Sequence, residues 1–223
     1  MRNALANLLS PHYCCSCGEI GAILCEYCKY DITSEPYQNC LACNVVTPGG
    51  TNLCLACIMP YSRAWCVGER KDVLEKLLKS YKFERAKLAY LVIAELLDAT
   101  IPILPDNTIV VSVPTIRTHI RRRGYDHAAL IAKAFAVRRK LPYKPILERL
   151  NDSVQLGATK AVRRKQASVA YRAVANNEPN ILLIDDVFTT GATAFFAAKA
   201  LRDAGTESVY MAVLARQPLE KAQ

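Results

Sequence analysis

Two groups of residues in this sequence are equipped for chemistry. The first is the pair Asp185-Asp186, which follows the aliphatic run Ile181-Leu182-Leu183-Ile184 and precedes Val187-Phe188-Thr189-Thr190-Gly191-Ala192-Thr193. Adjacent carboxylates accept hydrogen bonds from a vicinal diol such as that of a ribose. A glycine set among three threonines lets backbone N–H groups and hydroxyls close around a phosphate. The small-residue helix expected from Ala194 to Ala204 turns its positive end toward the same anion. The two halves together suit a sugar with hydroxyls on one side and a phosphate on the other. An acidic turn before an ordinary capped helix is the plainer alternative, and it leaves the order of these residues unexplained.

The second group is thiol chemistry. Eight of the ten cysteines form four Cys-x-x-Cys pairs: Cys14/Cys17, Cys25/Cys28, Cys40/Cys43 and Cys54/Cys57. Regular pairs in a chain without a secretion signal read as metal knuckles rather than disulfide staples. Two knuckles supply the four sulfurs of a closed tetrahedral zinc site, so two structural zinc ions are expected. Pairing in sequence order needs only short hairpins, while an interleaved pairing of first knuckle with third stays open. Cys15 and Cys66 are left as non-ligands. Structural zinc supplies about 10–16 kcal/mol to segments this short, which have little core of their own.

Several elements must position these groups. Four consecutive aliphatic residues before Asp185 describe a strand buried on both faces, as in a parallel sheet, with ligands beyond its carboxyl end. Thr108 to Val113 is a second such strand and opens at Pro114-Thr115 onto the same edge. Beyond it, Arg117, Arg121, Arg122 and Arg123 read as a dense basic loop entering a helix Asp126–Arg138. Their mutual repulsion calls for anions or full exposure, and a solvated basic turn is the bland reading. Lys71–Leu97 carries helical periodicity, with Lys76, Lys79 and Lys82 on a solvated face. His127 reads as a surface residue or partial cap. Pro145 to Glu148 and Ser208 to Leu214 read as strands. Asp152 to Gln166, with Arg163 and Arg164, reads as a mobile basic segment suited to closing over a charged substrate.

The 223 residues allow one full domain plus a small module, divided here as 1–62 and 63–223. The net charge is +9, and between Thr115 and Arg172 fifteen basic residues face three acids. Such a field suits a polyanion, whether pyrophosphate or nucleic acid. Leu88 to Leu97, interrupted by Glu95, comes nearest to a membrane span and falls well short of the roughly 20 apolar residues required. With no signal-peptide pattern either, a cytoplasmic protein is expected.

The order aliphatic run, Asp-Asp, two residues, Thr-Thr-Gly, one residue, Thr resembles the phosphoribosyl pyrophosphate (PRPP) signature of type I phosphoribosyltransferases. That resemblance implies an α/β fold with a mainly parallel sheet flanked by helices. It also implies that Asp185 and Asp186 hold ribose hydroxyls while Thr189 to Thr193 cradle the 5-phosphate, with magnesium bound through substrate oxygens. Pro114, Thr115 and the arginines at 117, 121 to 123, 163 and 164 are candidates for the pyrophosphate side.

With its double zinc ribbon, the chain as a whole resembles the ComF family of competence proteins. The likeness rests on the tandem knuckles, Leu78 to Phe83, Ser112-Val113-Pro114, Arg121 to Tyr125, Gln155 to Arg164, and Asp185 to Thr193. Where the family has Asn-Gln after its Arg-Gly-aromatic element, this chain has Asp126-His127. The resemblance implies a part in natural transformation, with single-stranded DNA and competence-machinery proteins as partners. Two functions remain in play: phosphoribosyl transfer to an acceptor, or handling of single-stranded DNA with PRPP as a ligand only.

Overall fold

A computed structural model of the chain describes residues 12–47, 49–83, 86–150, 170–175 and 177–218. Helix α1 (Glu26–Ser34) belongs to the cysteine-rich segment, which leads into strand β1 (Arg63–Glu69). Helices α2 (Asp72–Phe83) and α3 (Ala89–Thr100) carry the chain to β2 (Thr108–Ser112), followed by α4 (Arg117–Arg123) and α5 (His127–Arg139). A short antiparallel pair, β3 (Leu147–Arg149) and β4 (Tyr171–Ala173), precedes β5 (Asn180–Phe188), α6 (Ala192–Asp203) and β6 (Ser208–Arg216).

Strands β1, β6, β5 and β2 form one sheet in that order, and every pairing in it is parallel. Its strands read as unbroken aliphatic runs because both faces are covered. On one face Val110, Leu182 and Ile184 pack with Leu77 and Tyr81 of α2, Ile93 and Leu97 of α3, and Ile131 and Phe135 of α5. On the other, Ile109, Val111, Ile181 and Leu183 pack with Ala194, Ala198 and Leu201 of α6 and with Leu147 and Tyr171. The two-residue alternation of each strand divides its side chains between these cores.

Both sheet edges are closed, which blunts edge-to-edge association. Along β1, the Asn52 N–H donates to the Ala64 carbonyl at 2.7 Å, the Thr51 hydroxyl accepts from the Ala64 N–H at 3.2 Å, and Asn52 Oδ1 accepts from the Cys66 N–H at 2.8 Å. Beside β2, Val110 exchanges backbone bonds with Pro142 and Lys144. The cysteine-rich segment enters both cores: Cys14, Leu24 and Cys28 join the first, Leu41 and Tyr61 the second.

Three expectations are revised. Arg117–Arg123 is a helix rather than a loop, closed by Gly124 at φ 81°. β5 continues through the acidic pair to Phe188, because β6 goes on pairing with it as far as Arg216. The third strand is Leu147–Arg149, slightly later than its aliphatic residues suggest. Residues 152–166, the expected lid, lie outside the described residues, as do Arg163 and Arg164.

The last residue of β6 ties sheet to knuckle. Arg216 is 1% exposed, and its Nε donates to the Leu41 carbonyl at 3.0 Å while Nη1 donates to the Gln217 carbonyl at 3.1 Å. Replacing it with Met leaves the buried Leu41 oxygen without that donor. Arg216→Met is expected to lower the denaturation midpoint by the equivalent of about 1–3 kcal/mol. An unchanged midpoint would show that this contact contributes nothing.

Candidate functional site

The acidic pair sits near the carboxyl end of β5, and strand alternation sends its two side chains to opposite faces. Asp186 is 4% exposed and faces α2 and α5. Its Oδ2 pairs with the Lys82 ammonium and lies 2.8 Å from His127 Nε2. On the far side of the imidazole, Nδ1 is 2.9 Å from Arg123 Nη1 and 3.3 Å from the Thr115 hydroxyl. A guanidinium can only donate, so Nδ1 must accept, and the neutral ring presents Nε2–H to Asp186. Thr115 donates to Asp126 Oδ1 at 2.7 Å, and that carboxylate caps α5 by accepting from the Ala129 N–H at 3.1 Å. Tyr81 Oη donates to the His127 carbonyl at 2.8 Å and fixes the helix start.

Electrostatics separate the two acids. Burial alone would raise Asp186, but the Lys82 charge and the His127 hydrogen bond hold it well below the ordinary carboxylate range. Among the described residues, Asp185 has no cation at contact distance. Burial and the charge of Asp186 push it up, against the single N–H that Asp186 donates to its Oδ1 at 2.8 Å. Near it stands Tyr171 of β4, whose hydroxyl accepts from Arg149 Nη1 at 2.8 Å and interacts with Thr193.

The turn between β5 and α6 depends on Gly191. Its φ is 78°, and a Cβ there would fall 2.5 Å from Cζ of Phe188. Phe188 is buried against the α6 face of the sheet, so it cannot easily yield. Thr189 and Thr190 are exposed, Val187, Ala192 and Thr193 are half-buried, and no side chain caps the start of α6. An anion arriving here meets hydroxyls and the positive end of a twelve-residue helix.

Of the expected pyrophosphate-side residues, Pro114 and Thr115 lie half-buried at the end of β2, and Arg123 turns inward to His127. Arg117, Arg121 and Arg122 are exposed on α4. Lys82 and His127 are the functional residues that sequence reasoning placed on the surface. Helical phase carried the signal: Leu74, Leu78 and Lys82 are spaced by four on α2, as are His127, Ile131 and Phe135 on α5. Each polar residue therefore continues an apolar stripe into the interior.

The cysteines gather in sequence order. Cys14, Cys17, Cys25 and Cys28 form one cluster and Cys40, Cys43, Cys54 and Cys57 another, with all sulfurs of a cluster within 4.8 Å of one another. The sulfur separations of Cys17 and Cys25, 3.7 Å, and of Cys43 and Cys54, 3.5 Å, approach the about 3.8 Å edge of a tetrahedron with 2.3 Å metal–sulfur bonds. The first knuckles are built alike. Gly18 at φ 80° and Asn44 at φ 66° follow the second cysteine, and each donates to the carbonyl of the first. Burial opposes ionisation of Cys14, yet N–H groups of Cys17, Cys25 and Ser16 bring its thiol down to about 6. Backbone N–H groups likewise outweigh burial at Cys40, down to about 7. Burial pushes Cys15 up to about 11 and Cys66 up to about 12, and both stand outside the two clusters. The two clusters fit a double zinc ribbon.

A parallel sheet flanked by helices, with this β5 to α6 junction and two four-cysteine clusters that fit a double zinc ribbon, matches the α/β arrangement expected from the sequence. The chain is similar to two proteins named as competence proteins. It is 28% identical over 210 residues to competence protein F of Haemophilus influenzae, covering 86% of this chain and 90% of that protein. It is also 28% identical over 138 residues to competence protein ComFC of Bacillus subtilis, where it spans 60% of this chain and only 55% of the relative. No protein-family model matches the chain. Among solved structures, the Bacillus subtilis glutamine PRPP amidotransferase aligns with 56% of this chain and 25% of its own, at 17% identity and a TM-score of 0.39. An adenine phosphoribosyltransferase from Thermoanaerobacter pseudethanolicus aligns over 66% and 87%, at 14% identity and a TM-score of 0.38. Scores this low carry no argument about this chain.

Two substitutions test the site's electrostatics. A carboxyl held low in the fold stabilises it above about pH 4, and that contribution fades as pH falls through the folded value. A carboxyl held high does the reverse, costing stability as pH rises from about 4. Asp186→Asn is therefore expected to destabilise at neutral pH by about 3 kcal/mol, since it leaves Lys82 without its buried partner. Asp185→Asn should raise the melting temperature at pH 8, with the gain shrinking toward pH 4. Melting curves across that range decide; equal effects of the two changes would contradict the assigned asymmetry. Gly191→Ala should separately lower the melting temperature, because Phe188 blocks the added methyl.

Proposed function

We propose that this chain binds PRPP at the β5 to α6 junction and transfers its phosphoribosyl group to a nitrogen acceptor, in the service of natural transformation. The observation that carries the reading is the Gly191 turn. It sets exposed threonine hydroxyls and the start of α6 directly after two carboxylates of unequal charge environment. In this role Thr189, Thr190 and Thr193 hold the 5-phosphate with the backbone of Gly191 and Ala192, and Asp185 and Asp186 hold the ribose hydroxyls. Asp186 does so while its Oδ2 stays paired with Lys82 and His127, which fixes the carboxylate's orientation.

Departure of pyrophosphate leaves positive charge on the ribose, so the site must fix the sugar and neutralise the leaving group. Pro114 and Thr115 after β2, with Arg117, Arg121, Arg122 and Arg123, lie on the flank suited to that group, and Arg163 and Arg164 are assigned there as well. Magnesium, when bound through substrate oxygens, offsets the pyrophosphate charge. The acceptor's own ring nitrogen is the nucleophile, so no general base is assigned. Zinc in the two cysteine clusters is structural, and the protein is assigned to the cytoplasm.

A second reading is favoured by the exposed arginines of α4: the same surface carries single-stranded DNA, with PRPP as a ligand only. Such binding should weaken steeply with salt. Alanine at Arg121 and Arg122 should abolish it.

Calorimetric titration with PRPP and magnesium tests the first reading. Micromolar or tighter binding is expected, weakened at least tenfold by Asp185→Asn, and failure of PRPP to bind would sink it. Pyrophosphate release with an acceptor panel then separates transfer from mere binding. Elemental analysis should return two zinc ions per chain, and their chelation should lower the melting temperature sharply. Full stability after chelation would remove the metal from its structural role.

A further inference from the structure

Tyr171 lies outside the β5 to α6 motif in sequence, yet it stands where the two halves of that motif meet. On β5, Ile181 and Leu183 face the core that contains Tyr171, and alternation by two puts Asp185 on the same face. Strand β4 packs against α6, whose Ala194 and Ala197 belong to that core as well. Tyr171 is 9% exposed, and its hydroxyl shares a side-chain hydrogen bond with Thr193 in the first turn of α6. The charge of Asp185 acts on the same hydroxyl.

Arg149 decides which way the hydrogen bonds run. In the antiparallel register of β3 and β4 it lies directly opposite Tyr171, so the two side chains share a face. Its guanidinium is centred 5.4 Å from the Tyr171 ring, and Nη1 donates to the phenolic oxygen at 2.8 Å. A guanidinium has no acceptor, so the phenolic oxygen must accept here, and its own proton remains to be given elsewhere. Burial pushes the Tyr171 hydroxyl above its ordinary range, against the Arg149 charge, so that proton stays in place at neutral pH. Given to Thr193 Oγ1, it frees the threonine's O–H to point out of the half-buried turn. Hydrogen bonds in series polarise one another, and a series that starts at a cation makes its last hydroxyl a stronger donor to an anion.

We propose that Arg149 and Tyr171 are positioning residues for the 5-phosphate of PRPP: Arg149 donates to Tyr171, Tyr171 donates to Thr193, and Thr193 donates to a phosphate oxygen. The inference rests on the PRPP reading and deepens it, since it assigns the β3 and β4 pair a part in phosphate recognition. Neither Arg149 nor Tyr171 touches the ligand in this arrangement. They act by holding one hydroxyl in the orientation an anion requires.

The test titrates the whole protein with PRPP and magnesium. Tyr171→Phe keeps the ring in the core and removes the donor, and it is expected to weaken PRPP about tenfold, as loss of one hydrogen bond to a charged group does. Thr193→Val should cost a similar factor. The double variant Tyr171→Phe/Thr193→Val should bind no more weakly than Thr193→Val alone, because the two residues act in series. Combined with Thr189→Val, by contrast, the Tyr171→Phe loss should appear in full. Arg149→Met should weaken binding in the same sense, and Arg149→Lys, which keeps a charged donor, should recover part of it. Melting curves accompany each titration; should Tyr171→Phe fail to fold, Arg149→Met carries the same cycle with Thr193→Val. Unchanged PRPP affinity in Tyr171→Phe, or losses from Tyr171 and Thr193 that simply add, overturns the proposal and leaves the PRPP reading standing. Additive losses with a lowered melting temperature would make Tyr171 a packing residue only. Failure of PRPP to bind the unaltered protein removes the PRPP reading and this inference with it.

Discussion

A carboxylate 4% exposed at the end of a parallel strand has to be neutralised in place, and Asp186 sets that requirement for everything around it. Lys82 reaches it from the last turn of α2, and His127 from the first turn of α5. Arg123 donates to the far nitrogen of the imidazole, while Thr115 beside it donates to Asp126, which caps α5. A strand and two helices distant in sequence thus meet at one oxygen. Among the described residues, Asp185, one residue away but on the other face, has no such cation, and burial and the Asp186 charge disfavour its ionised form. A site that spends stability on one acid and secures the other is arranged for binding rather than for maximal stability.

The cysteine-rich segment has a second task beyond holding metal. Thr51 and Asn52 satisfy backbone groups along β1 that would otherwise form an open edge, and Arg216 fastens the Leu41 carbonyl to the end of β6. Arg216 also pairs in register with Phe188, whose ring walls the Gly191 turn. The second cysteine cluster is therefore joined to the Gly191 turn by a short chain of contacts through Leu41, Arg216 and Phe188.

Much of this was legible from residue order. Ile181–Ile184 announced a doubly covered strand, and the glycine among the threonines announced a tight turn into a helix. The cysteine spacing announced two clusters but left their pairing open until the sulfurs of successive knuckles were found together. Helical phase on α2 and α5 carried the inward direction of Lys82 and His127, yet charge made both look exposed. The basic run at 117–123 was misjudged as a loop because mutual repulsion of arginines disfavours a helix only when nothing compensates it. Here Arg123 turns to His127, and Gly124 closes the last turn.

By itself the sequence determined the local chemistry: which strand is buried, where a glycine is obligatory, and which thiols stand as pairs. These follow from periodicity and from steric limits within a few residues. Only the tertiary structure decided which acid is paired and which, among the described residues, is left without a cation. That depends on the face to which each strand position points and on helices arriving from more than fifty residues away. Desolvation and ion pairing are properties of those surroundings, so identical neighbours in the chain acquire opposite electrostatic fates.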